Sequence, residues 1–222
     1  MKNIKKMNNI EQTFPNINQI SEKIKECIIT NNPETLKKLI DQFNFLYQPI
    51  DANNLSILHY AVQNGKKNIV EELSSMMFEK NGINVKDNFG RTPLHSAAAK
   101  GDIPIIKTLI LCSGDVNSMT ISGETPLMKS IAFYQPKAAN ILLRFGANPF
   151  LKNNVTQKNC LAQAKQTKNI ELINIVDKYK IVYEKIALLL LVYMSLGNTD
   201  RKSIFNNIPI TLLKKLIKYI IP

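Results

Sequence analysis

The chain has no tryptophan, and its 222 residues include only two histidines, three cysteines and eight glycines. Cys27, Cys112 and Cys160 are odd in number and far apart, so we expect neither a disulfide framework nor a Cys-x-x-Cys metal site, and we infer a reducing compartment. His-Glu-x-x-His, Gly-x-Ser-x-Gly and Walker-type glycine motifs are also missing. These absences predict a protein that is not an enzyme, holds no metal and needs no cofactor.

Long hydrophobic runs are missing as well. The longest, Ile186 to Met194, has about half of the roughly 20 residues that cross a bilayer, and Glu184 and Lys185 precede it. The basic N-terminus lacks the apolar stretch of a secretory signal. We therefore expect no membrane partner and a cytoplasmic location.

Acidic residues are scarce, since 17 Asp and Glu face 29 Lys and Arg and leave a formal net charge of +12. Clustered positive charge attracts nucleic acid, because neutralised phosphates release counterions. Here the lysines are spread along the chain and aromatic residues are not interleaved with them. Nucleic-acid binding is therefore the least favoured class of function.

A repeated segment is the main feature that the sequence does contain. Residues 87–119 include a Gly-Arg-Thr-Pro-Leu-His run, in which Thr92 can cap a helix and Pro93 suits its first turn. Small residues and then an apolar stripe at helical spacing follow, which predicts a helix, a turn and a second helix. A unit this small cannot bury its own apolar faces and must stack on neighbours.

Such neighbours recur along the chain. Thr92 and Pro93 recur as Thr125 and Pro126, and Leu94-His95 matches the earlier pair at residues 58–59, with three inserted residues expected within 74–79. The chain thus resembles the ankyrin-repeat family, whose signature includes Thr-Pro-Leu-His at a period near 33 residues. The resemblance covers residues 20–179.

The resemblance implies an all-α ankyrin-repeat solenoid of about five repeats, within residues 19–179. Residues 1–18 are predicted to be a flexible N-terminal arm and residues 180–222 a C-terminal helical module. In the fourth repeat Tyr134-Gln135-Pro136 replaces Gly-Asp-Ile, so we predict a reshaped middle turn there. We expect a monomer.

A protein partner is expected on the concave face, which turn tips and first helices form. The family resemblance marks as contact positions those flanking the turn Asp and Gly and those just before the middle glycine. In this sequence they are Asn53, Leu55, Gln63, Asn64, Asn88, Phe89, Arg91, Lys100, Ile121, Ser122, Glu124 and Phe133, with Thr156 and Lys158 as weaker candidates. Phe89, Arg91 and Phe133 are the favoured anchors, because aromatic and Arg side chains often dominate interfaces. Alternatively, Phe133 fills space left by the altered turn.

The two histidines, His59 and His95, occupy the same position in two repeats. A metal ligand or a general base is one interpretation. In the family that the chain resembles, this imidazole hydrogen-bonds backbone near the turn and holds neighbouring loops in register, and we favour that role.

The C-terminal sequence changes character after Val182. Residues 186–194 are apolar on every face, which predicts a helix buried on several sides. Residues 208–221 resemble the start of an F-box, whose matching, ligase-recruiting positions here are Ile208, Pro209, Leu212, Leu216, Tyr219 and Ile220.

Such an ending follows ankyrin repeats in proteins of large DNA viruses and intracellular bacteria, where it recruits a host cullin-RING ubiquitin ligase through the linker subunit of the ligase. This resemblance implies a substrate adaptor delivered into a host cell. A SOCS-box-like ending is a second interpretation. In a third, the helices only cap the last repeat, and the chain is a scaffold or an inhibitor.

Overall fold

The computed structural model describes residues 17–78 and 82–195. Within those ranges the chain forms ten α-helices in five pairs, each pair joined by a tight turn. The pairs are α1 (Ile17–Ile29) with α2 (Pro33–Phe43), α3 (Ile57–Gln63) with α4 (Lys67–Phe78), α5 (Pro93–Lys100) with α6 (Ile103–Leu111), α7 (Pro126–Ala132) with α8 (Pro136–Arg144), and α9 (Cys160–Thr167) with α10 (Ile170–Ser195). A short 3₁₀ helix, Gly82–Asn84, follows α4.

The pairs stack in chain order. First helices pack on first helices and second helices on second helices, so α5 lies between α3 and α7 while α6 lies between α4 and α8. One continuous apolar core therefore runs from Ile20 to Val176. Fully buried alanines such as Ala97 and Ala98 let the first helices approach closely. The predicted all-α solenoid of about five repeats is confirmed.

Each turn between the two helices of a pair contains one residue in the left-handed region. These residues are Asn31, Gly65, Gly101, Tyr134 and Lys168. The amide of Gly101 donates to the carbonyl of Ala98 at 3.2 Å, and that of Tyr134 donates to Ile131 at 3.1 Å. The predicted reshaping of the fourth middle turn was therefore wrong, because Tyr134 adopts the backbone conformation that Gly101 has one repeat earlier.

Between successive pairs the chain makes a hairpin turn, whose tip again has one left-handed residue. These residues are Asn54, Gly90, Gly123 and Gln157. Backbone hydrogen bonds join each tip to the next, from Asn88 N to Asn53 O at 2.9 Å, from Ile121 N to Phe89 O at 3.1 Å and from Asn154 N to Ser122 O at 2.9 Å. The tips thus form one connected row along an edge of the stack.

The last helix crosses the predicted boundary between residues 179 and 180 without a break. Tyr183 Oη donates to the carbonyl of Ala147 at 3.4 Å, and its ring meets the ring of Phe150 edge-on at 6.0 Å between centroids. Leu188 is 63% exposed. The segment after Ser195, which was expected to cover this helix, lies outside the described residues, so burial of the helix on several sides stays a prediction. The six predicted ligase-recruiting residues lie outside the described ranges.

Candidate protein-binding surface

A buried carboxylate organises the tip of the third repeat. The Asp87 side chain is 1% exposed, and its Oδ1 accepts from the backbone N–H groups of Phe89 at 3.0 Å and Arg91 at 2.8 Å. Its Oδ2 accepts from Arg91 Nε at 2.6 Å. The guanidinium of Arg91 also lies over the Phe89 ring, 4.8 Å from its centroid, in a cation–π contact. Asp87 thus holds two of the predicted anchors in one arrangement.

In the fourth repeat Thr120 takes the place of Asp87. Its Oγ1 accepts from the backbone N–H of Glu124 at 3.0 Å. Lys129 Nζ donates to Glu124 Oε2 at 2.5 Å, and Ser122 Oγ donates to the same oxygen at 3.1 Å. The one carboxylate on this tip is therefore paired with a lysine of its own repeat.

The two histidines fasten each tip to the next. His95 Nδ1 accepts from the backbone N–H of Thr92 at 3.1 Å, so Nε2 carries the proton and donates to the carbonyl of Glu124 at 2.9 Å. His59 makes the same contacts, with Ser56 and with the carbonyl of Arg91 at 2.9 Å. The predicted role in loop register is confirmed, and both ring nitrogens of each histidine are already engaged.

Burial keeps these imidazoles neutral. Desolvation lowers the pKa of His95 to about 4, against the opposing effect of its hydrogen bond to Glu124, and desolvation also lowers the pKa of His59. Nδ1 can accept from Thr92 only in the unprotonated ring. The contact between tips therefore depends on the neutral form.

Three exposed apolar side chains follow one another along adjacent tips. Phe89 is 54% exposed, Ile121 74% and Val155 76%. They line an open groove of about 440 Å³, here called the tip groove, together with Arg91, Thr120, Ser122, Glu124 and Lys129. Contiguous exposed apolar surface of this kind marks interaction sites.

The tip groove brings together five of the predicted contact residues, namely Phe89, Arg91, Ile121, Ser122 and Glu124. The others lie outside its lining. Asn53, Asn88, Thr156 and Lys158 are exposed in the hairpin turns, and Gln63, Asn64, Lys100 and Phe133 are exposed near the ends of first helices. Lys100 has a structural contact as well, since its Nζ donates to the carbonyl of Gln63 at 2.8 Å.

Two expectations about individual residues are corrected. Leu55 is 7% exposed and belongs to the core, so its assignment as a surface contact was wrong. Phe133 is 56% exposed and does not fill a space in the altered turn. Both errors arose because the roles were assigned from the position in the repeat, without knowledge of the side chains that pack around it.

Sequence reasoning missed three residues of the groove, Thr120, Lys129 and Val155. Val155 lies in the degenerate fifth repeat, where no Asp-x-x-Gly pattern marks the tip. Val155 could have been found from the sequence as the one apolar residue among the polar residues 152–158. Lys129 lies within α7 and reaches the groove through its ion pair with Glu124.

Stacked helical pairs whose hairpin tips form a connected row define a repeat solenoid, a class whose extended surfaces serve for binding. The comparisons with known proteins agree with this architecture. The model of a family described as ankyrin repeats (3 copies) matches residues 24–120.

Individual proteins are similar to parts of this chain. A putative ankyrin repeat protein of Acanthamoeba polyphaga mimivirus is 29% identical over 143 residues, which cover 63% of this chain and 85% of that protein. A putative ankyrin repeat protein of Rickettsia bellii is 31% identical over 100 residues, covering 45% and 54%. A probable 26S proteasome regulatory subunit of Saccharomyces cerevisiae is 33% identical over 127 residues, covering 55% and 54%.

The chain therefore contains ankyrin repeats and folds as an all-α ankyrin solenoid. Ankyrin repeats make it a protein–protein interaction module, of a type that is typically a non-enzymatic scaffold. Across residues 17–78 and 82–195, no helix is both long enough and apolar enough to cross a membrane.

Proposed function

We propose that the chain binds a partner protein in the tip groove. The observation that carries this proposal is the row of Phe89, Ile121 and Val155, three apolar side chains that are each more than half exposed on adjacent tips. These tips are joined by backbone hydrogen bonds and, between the third and fourth repeats, by His95. Because the surface is already ordered, a partner loses little free energy to ordering it.

The charges around the groove indicate the chemistry of the partner. Arg91 is paired with Asp87, and Lys129 is paired with Glu124. The exposed apolar row is therefore bordered by charges that are balanced within the chain. We expect the partner to contribute apolar side chains, with an affinity that depends only weakly on salt. Nucleic acid would instead bind with an affinity that falls steeply as salt rises.

Replacing Phe89 and Ile121 together by Ser is expected to weaken partner binding by about tenfold or more, because both side chains leave the apolar row. Leu111→Ser is the matched control, since Leu111 lies on α6 and is 74% exposed, the same fraction as Ile121. The full chain first captures partners from eukaryotic lysate. A recovered partner is then titrated calorimetrically against wild type and both variants.

The readout separates binding from folding. The groove variant should keep the wild-type melting temperature, since both residues are exposed, and the control should keep the wild-type affinity. A partner that binds the Phe89→Ser, Ile121→Ser variant as tightly as wild type would contradict the tip groove as its site.

We further infer that the chain is a substrate adaptor, in which residues 208–221 recruit a host cullin-RING ligase through its linker subunit. The F-box-like pattern beginning at Ile208 and Pro209 supports this proposal, as does similarity to ankyrin proteins of a mimivirus and a Rickettsia species. In this proposal the ligase catalyses ubiquitin transfer, and the chain itself is not an enzyme. The chain acts as an effector in the host cytoplasm. In the alternative, residues 180–222 only cap the stack of a scaffold or inhibitor.

The adaptor proposal is tested with purified linker subunit and the full chain. Leu212→Asp with Leu216→Asp should abolish capture, because both changes place a charge on the apolar face of the predicted helix. The Phe89→Ser, Ile121→Ser variant should still capture the linker subunit, because it alters only the tip groove.

A truncation used in this test should end at Ser195 and not at Tyr179, since Tyr183 packs against Phe150 and its loss would destabilise the fourth repeat. Failure of the full chain to capture linker subunit or cullin would end the adaptor proposal. It would leave partner binding in the tip groove intact.

A further inference from the structure

A second exposed apolar surface lies at the middle turns of the fourth and fifth repeats, residues 131–137 and 165–171, here called the turn edge. Phe133 is 56% exposed, Tyr134 58% and Ile170 73%. Tyr134 and Lys168 occupy the same left-handed position of consecutive repeats, and α7 packs on α9. The two turns are therefore neighbours, at the opposite end of the first helices from the tip groove.

The conformation of Tyr134 is unusual for its residue type. Its φ of 56° lies in the left-handed region, where a bulky side chain costs free energy that the glycines at the equivalent positions Gly65 and Gly101 avoid. With 58% of the residue exposed, packing within the described chain offsets little of this cost. Each of the five middle turns has a residue in this conformation, and Asn31 and Lys168 are also not glycine, so the geometry of the repeat imposes it on Tyr134.

The charges of the turn edge are not balanced as those of the tip groove are. Lys137, Lys165 and Lys168 are exposed, and none of them forms an ion pair with another residue of the described ranges. Glu171 is the one acidic residue in the two turns. The edge thus combines three exposed apolar side chains with a net positive charge.

We propose that the turn edge docks onto the surface of an anionic lipid bilayer. Phe133, Tyr134 and Ile170 enter the headgroup region, and the lysines face acidic headgroups. Exposed apolar residues beside lysines suit such a surface, and tyrosine suits its boundary because the ring is apolar and the hydroxyl polar. The basic residues are all lysine, which protein interfaces disfavour, so a membrane fits better than an acidic protein.

The proposed contact is peripheral, and it differs from what the sequence alone predicts. The sequence excluded a membrane because no apolar run is long enough to span one. The turn edge is instead assembled from two turns that the solenoid places side by side. It lies apart from the tip groove, so a partner protein and a membrane can be bound at once.

Phe133→Trp provides a direct test in the full chain, because the natural sequence has no tryptophan and the new indole is the only one. Vesicles containing phosphatidylserine should shift its fluorescence to shorter wavelength, and vesicles of phosphatidylcholine alone should not. Leu111→Trp is the control, since this exposed site lies at the far end of α6 and should show no shift. An unchanged Phe133→Trp spectrum overturns the proposal even if another segment binds the vesicles.

Tyr134→Gly separates docking from folding. Glycine suits the left-handed conformation, so this variant should fold with equal or higher stability while its binding to phosphatidylserine vesicles in flotation weakens about fivefold or more. Wild-type flotation by Tyr134→Gly would contradict the proposal. If soluble polyglutamate shifts the fluorescence of Phe133→Trp and vesicles do not, the turn edge binds an acidic protein. That result would also overturn the membrane proposal.

Discussion

Gly90→Ala is expected to lower the free energy of unfolding by about 3 kcal/mol, because two costs add at this hairpin tip. The φ of +74° places an alanine in the left-handed region, at a cost of about 1–2 kcal/mol. The new Cβ would also lie 2.8 Å from Ile121 N, a backbone atom that is hydrogen-bonded to Phe89 O. Relieving that overlap moves two tips apart, with a further cost of about 1–3 kcal/mol.

Gly65→Ala is the matched control for this prediction. Gly65 has a similar φ of +65°, but the nearest atom to its added Cβ is Lys100 Nζ at 3.8 Å, the end of a flexible side chain. Only the conformational cost of about 1–2 kcal/mol should remain. Urea unfolding of both variants measures the difference, and equal losses would show that the tips are not closely stacked.

Acidification from pH 7 to pH 5 is expected to remove about 2 kcal/mol of stability through His95 alone. Its pKa is about 4 in the folded chain against 6.5 for an ordinary histidine, so the unfolded chain binds more protons between these values. The contribution of His95 is complete above pH 6.5 and decreases as the pH falls towards 4. His59 acts in the same direction, since its pKa is also lowered.

His95→Ala tests this linkage in urea titrations at several pH values. At pH 7 the variant should be less stable by about 1–3 kcal/mol, because the buried Thr92 amide and the Glu124 carbonyl lose their partner. Its stability should then fall less than that of wild type between pH 7 and pH 5. An unchanged pH dependence would contradict the assignment of the neutral imidazole as the contact between tips.

The solenoid was predictable because its signals are local. Thr92 and Pro93 mark a helix start, apolar residues at helical spacing mark the faces to be buried, and their recurrence marks the stack. The role of the histidines was implied by the resemblance to ankyrin repeats, and it is confirmed by the bonds of His59 and His95 to the next tip.

Errors arose where the neighbours of a residue decide its state. Leu55 occupies a contact position of the repeat but is buried in the core, and the middle turn at Tyr134 keeps its shape although the sequence changes there. Val155 joins Phe89 and Ile121 in the tip groove although its repeat is degenerate. None of these outcomes follows from local propensity.

Local residue patterns therefore determined which segments become helices, where they turn and that they must stack, because capping, turn and periodicity signals act within a few residues. The resemblance to ankyrin repeats already marked five residues of the tip groove, but tertiary packing decided which side chains come together as one surface. The distance between Phe89 and Val155, or between Tyr134 and Ile170, depends on how consecutive helical pairs pack. Both the tip groove and the turn edge are products of that packing.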